Sequence, residues 1–253
     1  MKGLLKRAWS AIEITMLTGA FIICFVVIFV LMFFGQLACL IYFSTHKATD
    51  SRKLGLHRIM QRTLRAIMTH LPGVKVTVTN PTGEDFTRPA MIVPNHQSYL
   101  DLPCMIMLTP HVIIMAKKWV TRNPLYGLMI HYADYISSST DRIENMRKIG
   151  QMAQKGYSTI IFPEGTRSRT GRLGRFHRGA FEAAQQLGLD IVPVAIKGAR
   201  DVMPRGSFCL RPGTIDIEIL PRIPYDPQAA YAQTCRQAKD IIQQALSNTP
   251  SHP

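Results

Sequence analysis

A histidine and a carboxylate stand close together in the stretch "MIVPNHQSYLD", residues 91–101. Four residues separate His96 from Asp101, a spacing that suits neither one face of a helix nor one face of a strand. The two side chains can therefore meet only if the chain turns between them. A neutral imidazole is a competent general base at cellular pH, and a carboxylate on its second ring nitrogen fixes the tautomer and stabilises the imidazolium. The alternative interpretation is structural: a core histidine bonded to an aspartate that caps a helix.

Further polar residues follow two other stretches that are typical of strands. They are Lys117 and Lys118 after the strand ending near Met115, and Glu164, Gly165, Thr166 and Arg167 after the strand ending at Phe162. The strand ending at Val93 likewise leads into Asn95 and His96. Ligands of α/β proteins bind outside the carboxyl ends of strands. We therefore expect a base with its carboxylate, a pair of cations and a Glu-Gly-Thr-Arg turn to surround one site.

The sequence offers no clear enzyme nucleophile beside this base. It contains no G-x-S-x-G turn that would present a serine. Ser98 is placed to cap a helix, and Cys104 lies in an apolar helical stretch where a buried thiol is the simpler interpretation. The pattern therefore predicts that His96 activates a hydroxyl group of the substrate itself.

Strands and helices alternate along most of the chain. Predicted strands cover residues 74–80, 89–95, 111–117, 133–138, 158–165, 190–196 and 214–220, and predicted helices cover 50–70, 97–108, 119–131, 141–156, 177–187 and 227–247. This order indicates an α/β fold whose mostly parallel or mixed sheet is flanked by helices. Such a sheet brings the three predicted strand ends to one edge.

The composition points to an anionic partner. Thirty Lys and Arg against sixteen Asp and Glu give a formal charge of +14, which favours nucleic acid, a phospholipid surface or a phosphorylated substrate. Nucleic acid is disfavoured because no basic stretch is interleaved with aromatic residues. Five scattered cysteines form no C-x-x-C pair, so we expect neither a disulfide framework nor a zinc site. A reducing compartment is the simplest location for such a protein.

The N-terminal region favours the lipid alternative. Residues 14–45 carry no charge, and "FIICFVVIFVLMFF" at 21–34 is long and apolar enough for a membrane-anchoring helix. A buried core helix and a cleaved signal peptide are the alternatives. We predict an uncleaved anchor over residues 1–48 and a main domain over 49–253. Basic residues are more numerous after the apolar run than before it, which places that domain on the cytoplasmic face of the cytoplasmic membrane.

A basic amphipathic helix over residues 49–70 is predicted to lead into the main domain. Its apolar residues fall near helical spacing with arginines between them, an arrangement that suits either lipid phosphates or solvent.

Three sequence blocks together resemble the glycerolipid acyltransferase family, and most closely its bacterial 1-acylglycerol-3-phosphate acyltransferases. These blocks are "PNHQSYLD" at 94–101, "IIFPEGTRS" at 160–168 and "IVPVAIKG" at 191–198. A further family block, a lysine followed by P-x-x-G, is similar to "KKWVTRNPLYG" at 117–127, with Asn123 and Tyr126 at positions where the family prefers apolar residues.

The resemblance implies transfer of a fatty acyl group to the free hydroxyl of lysophosphatidic acid, giving phosphatidic acid. The acyl donor would be acyl-CoA or acyl-carrier protein, and no metal or other cofactor is expected. His96 would be the general base and Asp101 its partner. The residues implied in substrate binding are Lys117, Glu164, Gly165, Thr166 and Arg167, with Asn95, Lys118 and Arg142 as further candidates.

Two alternatives stay open from the sequence. One is the same chemistry on another lysolipid, such as a lyso-aminolipid that lacks phosphate. The other is a membrane-attached lipid-binding protein without catalysis. The presence of His96, Asp101 and Glu164 argues against the second alternative, because a protein without catalysis would be expected to lack the acid–base pair.

Overall fold

A computed structural model describes residues 33–123, 127–206 and 210–247, together with residues 19, 22, 23, 26, 27 and 29–31. Residues 33–45 are helical and lead into the first named element. The helices are α1 (Asp50–Thr69), α2 (Asp101–Ile106), α3 (Lys118–Thr121), α4 (Gly127–Tyr132), α5 (Arg142–Gln154), α6 (Gly179–Leu187), α7 (Ala199–Val202) and α8 (Tyr231–Ser247). The strands are β1 (Val74–Thr79), β2 (Ala90–Pro94), β3 (Val112–Ala116), β4 (Ile136–Ser137), β5 (Ser158–Ile160), β6 (Asp190–Lys197) and β7 (Gly213–Ile219).

These strands form one seven-stranded sheet in the order β1-β7-β6-β2-β5-β3-β4. Neighbouring strands are parallel throughout, except that β7 runs antiparallel to β6. The predicted α/β class, with a mostly parallel or mixed sheet flanked by helices, is therefore confirmed. The carboxyl ends of β2, β3 and β5 lie side by side at the centre of one edge, as the strand-end argument required.

Both faces of the sheet are buried. In β2, Ile92 packs with Met68 of α1 and Val202 of α7 on one side, while Met91 and Val93 belong to the core on the other side. That second core is covered by α5, α6 and α8, which contribute Ile149, Phe181 and Ile242. Successive strand residues point to opposite faces, so the continuous apolar run of β2 follows from its burial on both sides.

Several element boundaries agree with the local sequence signals. Asp141 caps α5, because its carboxylate accepts hydrogen bonds from the backbone N–H groups of Ile143 (2.9 Å) and Glu144 (3.3 Å). Gly188 ends α6 in the left-handed region, with φ 66°, where a residue without Cβ is favoured.

Other elements differ from the prediction. The helix expected over 97–108 is shorter, because residues 95–100 form a loop before α2. The helix expected over 119–131 is divided into α3 and α4, and residues 124–126 lie outside the described residues. The short helix α7 was not predicted. The "IVPVAIKG" block at 191–198 covers most of β6 and leads directly into this helix.

Helix α1 has the expected two-sided character. Leu56, Met60 and Met68 are buried, whereas Arg58, Arg62 and Arg65 are exposed. Ile59 departs from the predicted apolar face, since 64% of its surface is exposed. The basic amphipathic interpretation is therefore correct in outline, with one large apolar residue on the arginine side.

The predicted anchor, residues 1–48 with the uncharged run 14–45, lies partly outside the described residues. Its described portion is helical and packs against the main domain, where Phe43 stacks on Tyr132 with ring centroids 4.2 Å apart. Many of its apolar side chains, such as Ile23 and Phe34, are exposed. Among the residues that the structure describes, we find no helix with the length and apolar character needed to cross a membrane. The anchor remains a prediction.

Candidate active site

His96 and Asp101 meet, as the sequence suggested, because the loop between β2 and α2 turns back on itself. His96 Nδ1 lies 2.8 Å from Asp101 Oδ2. The same oxygen accepts hydrogen bonds from the backbone N–H groups of Gln97 (2.5 Å) and Ser98 (2.7 Å). Asp101 thus holds both the loop and the imidazole. With Nδ1 engaged, Nε2 is the ring nitrogen left to act on a ligand.

A large pocket of about 770 Å³ lies beside this pair, and His96 is part of its wall. The polar residues that line the pocket include Lys117, Arg142, Thr166 and Arg167. The remaining wall is predominantly apolar and is formed by residues such as Met60, Leu64, Ile106, Ile114, Met129 and Ile149. Helices α1, α4 and α5 therefore enclose an apolar space that begins at the edge of the sheet where β2, β3 and β5 end. Such a space suits a hydrocarbon chain, since apolar contact removes its surface from water.

Arg167 is held from two sides at the pocket. Its guanidinium carbon lies 3.5 Å from the centroid of the Tyr99 ring, a cation–π arrangement. Its backbone carbonyl accepts a hydrogen bond from Arg205 Nη1 at 2.7 Å. Gly165, two residues earlier, lines the pocket and adopts φ 66°, so the turn that brings Arg167 to the pocket favours glycine.

Glu164 faces the protein rather than the pocket. One carboxylate oxygen accepts the backbone N–H of His96 at 2.8 Å, and the other accepts that of Gly174 at 2.8 Å. Only 7% of its surface is exposed, and this burial raises the pKa of the carboxyl group above its usual range. This geometry joins the Glu-Gly-Thr-Arg turn to the histidine loop. Direct contact between Glu164 and substrate remains a prediction.

The other candidates are distributed differently. Asn95 is buried and ties β2 to β6, because its amide donates to the carbonyl of Ile196 (2.9 Å) and accepts from its N–H (2.7 Å). Lys118 is exposed and lies outside the pocket wall, whereas Lys117 lines it. Arg142 lines the pocket and forms an ion pair with Glu182. Lys117 and Arg142 thus line the same pocket as His96, whereas Asn95 and Lys118 are absent from its wall.

The two residues considered as nucleophiles have structural environments. Ser98 Oγ donates to the carbonyl of Met203 at 2.9 Å and accepts from the N–H of Leu100 at 3.3 Å. Cys104 is fully buried, and desolvation raises the pKa of its thiol. A thiol with a raised pKa is a poor source of thiolate. Both side chains therefore agree with the structural interpretation.

Sequence reasoning missed the segment that begins with α7. This segment contacts both the loop after β2 and the loop after β5: Met203 accepts from Ser98, Arg205 donates to Arg167, and Arg200 Nη2 donates to the carbonyl of Arg169 at 3.1 Å. The two loops also bond each other directly, since the N–H of Ser168 donates to the carbonyl of His96 at 2.8 Å. These contacts are long-range, and nothing local in the sequence marks them.

Gly198 is the local signal closest to this segment. It begins α7 with φ 73°, and a Cβ at this position would lie 2.0 Å from the carbonyl oxygen of Thr214. Only glycine permits both the turn and this close approach to β7. Gly198, the last residue of the "IVPVAIKG" block, therefore has a structural role and is not needed for contact with substrate.

Comparison with known proteins agrees with this geometry. Residues 75–197 match the family described as Acyltransferase. A 1-acyl-sn-glycerol-3-phosphate acyltransferase of Limnanthes douglasii is 36% identical over 143 residues, which cover 54% of this chain and 51% of that protein. A chloroplastic 1-acyl-sn-glycerol-3-phosphate acyltransferase of Arabidopsis thaliana is 32% identical over 123 residues, covering 47% of this chain and 35% of that protein. The chain thus matches about half or less of the length of these relatives.

The fold is similar to a solved structure as well. The crystal structure of the 1-acyl-sn-glycerophosphate acyltransferase PlsC from Thermotoga maritima superposes with a TM-score of 0.77 at 19% identity, covering 95% of this chain and 99% of that one. The matched residues 75–197 contain His96, Asp101 and the turn from Glu164 to Arg167. In this region, the chain is similar to the family described as Acyltransferase.

Proposed function

We propose that this protein transfers a fatty acyl group from a thioester donor to the free hydroxyl of lysophosphatidic acid, giving phosphatidic acid. One observation carries the proposal: a histidine oriented by a buried carboxylate lines a pocket whose wall combines cations with a predominantly apolar surface. The cations suit a phosphate group, and the apolar interior suits an acyl chain. The names of the matched relatives support the same substrate.

The proposed reaction uses His96 as general base. Its Nε2 takes the proton from the acceptor hydroxyl while the hydroxyl oxygen attacks the carbonyl carbon of the thioester. The tetrahedral intermediate then expels the thiolate as the carbon–sulfur bond breaks. The imidazolium returns its proton to the thiolate, so the products are an ester and a free thiol. Asp101 stabilises the imidazolium throughout. This reaction needs no metal or other cofactor, because a thioester carbonyl is reactive enough to be attacked directly.

Lys117 and Arg167 are proposed to bind the acceptor phosphate. Arg167 can present a planar fork to two phosphate oxygens, while Lys117 acts as a point charge. Thr166 and Gly165 line the same pocket. Arg142 stays a further candidate, and its ion pair with Glu182 would have to open for it to bind phosphate through the same N–H groups.

Membrane association is part of the proposal, with the catalytic domain on the cytoplasmic face of the cytoplasmic membrane. Exposed apolar side chains on the N-terminal helical residues and exposed arginines on α1 support it. We expect the full-length protein to remain with membranes through high-salt and alkaline washes. Recovery of the intact chain in the soluble fraction would contradict insertion of residues 14–45.

An acyl-transfer assay on membranes containing the full-length protein tests the function. It should use a panel of lysolipids, with acyl-CoA and acyl-carrier protein as separate donors. We expect phosphatidic acid as the main product and His96→Ala membranes as the inactive control. Acylation of a lyso-aminolipid in preference to lysophosphatidic acid would overturn the acceptor assignment. Lipid binding without acylation of any lysolipid would overturn the enzyme itself.

A further inference from the structure

The backbone of His96 is held by the loop that follows β5. Glu164 Oε1 accepts the N–H of His96 at 2.8 Å, and the N–H of Ser168 donates to the carbonyl of His96 at 2.8 Å. Asp101 holds Nδ1 of the imidazole. The loop after β5 therefore fixes the main chain of the histidine, while Asp101 fixes its ring and Nε2 is left for a ligand.

The carboxylate of Glu164 is enclosed by this loop. Its second oxygen accepts the N–H of Gly174 at 2.8 Å. Glu164 is 7% exposed and is absent from the pocket wall, although Pro163 and Gly165 on either side of it line the pocket. A Cβ added to Gly174 would lie 2.7 Å from Oε2. The loop is thus folded closely around this carboxylate.

A carboxylate is the group that this position requires. Two backbone N–H groups donate to Glu164, one to each oxygen, and a carboxylate accepts at both oxygens. A glutamine has only one oxygen, so its NH₂ group would face the second N–H and leave a buried donor without a partner, which is unfavourable. The two backbone groups therefore account for both oxygens of Glu164 without any contact with substrate.

We infer that Glu164 is a positioning residue for His96 and acts through the backbone of the histidine. This inference rests on the proposed function, because it concerns the base of that reaction. It differs from the role in substrate binding that the family resemblance implies for Glu164. Such a role matters for the rate, since a displacement of about 1 Å in a catalytic group can cost about 10²-fold.

The experiment is kinetic analysis of Glu164→Gln in the full-length protein in membranes. We expect kcat for acyl transfer and the rate of thioester hydrolysis by water to fall together, by about 10- to 100-fold, because both reactions use His96. The KM for lysophosphatidic acid should change little, since Lys117 and Arg167 are both retained. Glu218→Gln, which removes a half-buried carboxylate from β7, is the matched control and should leave both rates unchanged.

Gly174→Ala tests the same inference without changing a charge or a residue of the pocket wall. Its added Cβ presses on Glu164 Oε2, so it should lower the two rates together as Glu164→Gln does. Gly55→Ala is the control for an added methyl group, because a Cβ at Gly55 meets no atom within 4 Å.

Amide hydrogen exchange gives a measurement that does not depend on activity. In Glu164→Gln, the peptide covering residues 95–101 should exchange about tenfold faster, because the N–H of His96 loses its acceptor. Exchange in β7 should be unchanged. If exchange over 95–101 stayed at the wild-type rate, the inference would be overturned whether or not the wild type acylates lysophosphatidic acid.

The kinetic results can also overturn the inference. A raised KM for lysophosphatidic acid with normal thioester hydrolysis would assign Glu164 to acceptor binding instead. Faster exchange over 95–101 in the variant, together with a wild type that does not acylate lysophosphatidic acid, would support the contact between Glu164 and His96 and contradict only the proposed function.

Discussion

Arg205 donates a hydrogen bond from Nη1 to the backbone carbonyl of Arg167 at 2.7 Å. The two residues belong to different loops, one following β5 and the other following α7. Arg205 is exposed and is absent from the pocket wall, so this bond makes it a positioning residue for Arg167.

We expect Arg205→Ala to raise the KM for lysophosphatidic acid by about two- to tenfold, because one hydrogen bond that positions Arg167 is lost. Arg205→Lys should restore most of the affinity, since a single N–H is used. Steady-state kinetics across acceptor concentrations measure the effect. Arg211→Ala removes an exposed charge from the same segment and is the control. A matching fall in thioester hydrolysis would show a general structural defect instead.

The His96 and Asp101 variants should differ in stability although both lose activity. His96→Ala should lower kcat by about 10²–10⁴-fold with little change in Tm, because the partly exposed imidazole is the proposed general base. Asp101→Asn should lower kcat similarly and also lower Tm, since Oδ2 accepts hydrogen bonds from His96 Nδ1 and two backbone N–H groups. Kinetic and thermal-unfolding measurements on both variants check this. A His96→Ala protein with wild-type turnover would refute the mechanism.

The pocket cations should affect the acceptor more than the donor. Arg167→Ala and Lys117→Ala are expected chiefly to raise the KM for lysophosphatidic acid, because both groups keep their charge during acyl transfer. A smaller fall in kcat is expected, since phosphate binding also positions the hydroxyl against His96. Arg167→Lys should rescue only partly, because an ammonium group cannot reproduce the guanidinium fork. Thioester hydrolysis is measured on the same samples. Equal losses in the rate of hydrolysis and in the rate of acyl transfer to lysophosphatidic acid would mean that these cations serve donor binding or the fold.

His57 should make stability depend on pH. Its side chain is 3% exposed, and this burial lowers the pKa of the imidazole to about 4. A histidine in the unfolded chain titrates near 6.5, so the unfolded state binds more protons between pH 6.5 and 4. The stability that neutral His57 provides is therefore complete above pH 6.5 and is lost as pH falls towards 4, by on the order of 3 kcal/mol.

Urea unfolding of the full-length chain in detergent at several pH values tests this expectation. His57→Leu should remove this part of the pH dependence, whereas His131→Gln, at an exposed position of α4, should leave it unchanged. An identical pH dependence in wild type and His57→Leu would contradict the assignment.

The position of the candidate site was predictable because it depends on local rules. Alternating strands and helices specify a sheet with strand ends at one edge. That rule predicted that His96, Lys117 and Arg167 would be neighbours, and all three line one pocket. The bond between His96 and Asp101 was predictable too, since only four residues separate the two along the chain.

The orientation of other polar residues was not predictable. Asn95 and Glu164 stand beside site residues in sequence, yet one bonds Ile196 of β6 and the other bonds the backbone of His96 and Gly174. A buried polar group is directed to whichever partner satisfies it, and that partner is known only once distant strands have been assembled.

The sequence by itself determined the fold class, the strand-end location of the site and the pairing of histidine with carboxylate. Periodicity, turn residues and short spacings act over a few residues, so they can be read directly. Only the tertiary structure decided the shape of the apolar pocket and the support that Arg205 gives to Arg167. These features join residues far apart in the chain, and packing and hydrogen-bond satisfaction across the whole core determine which of them meet.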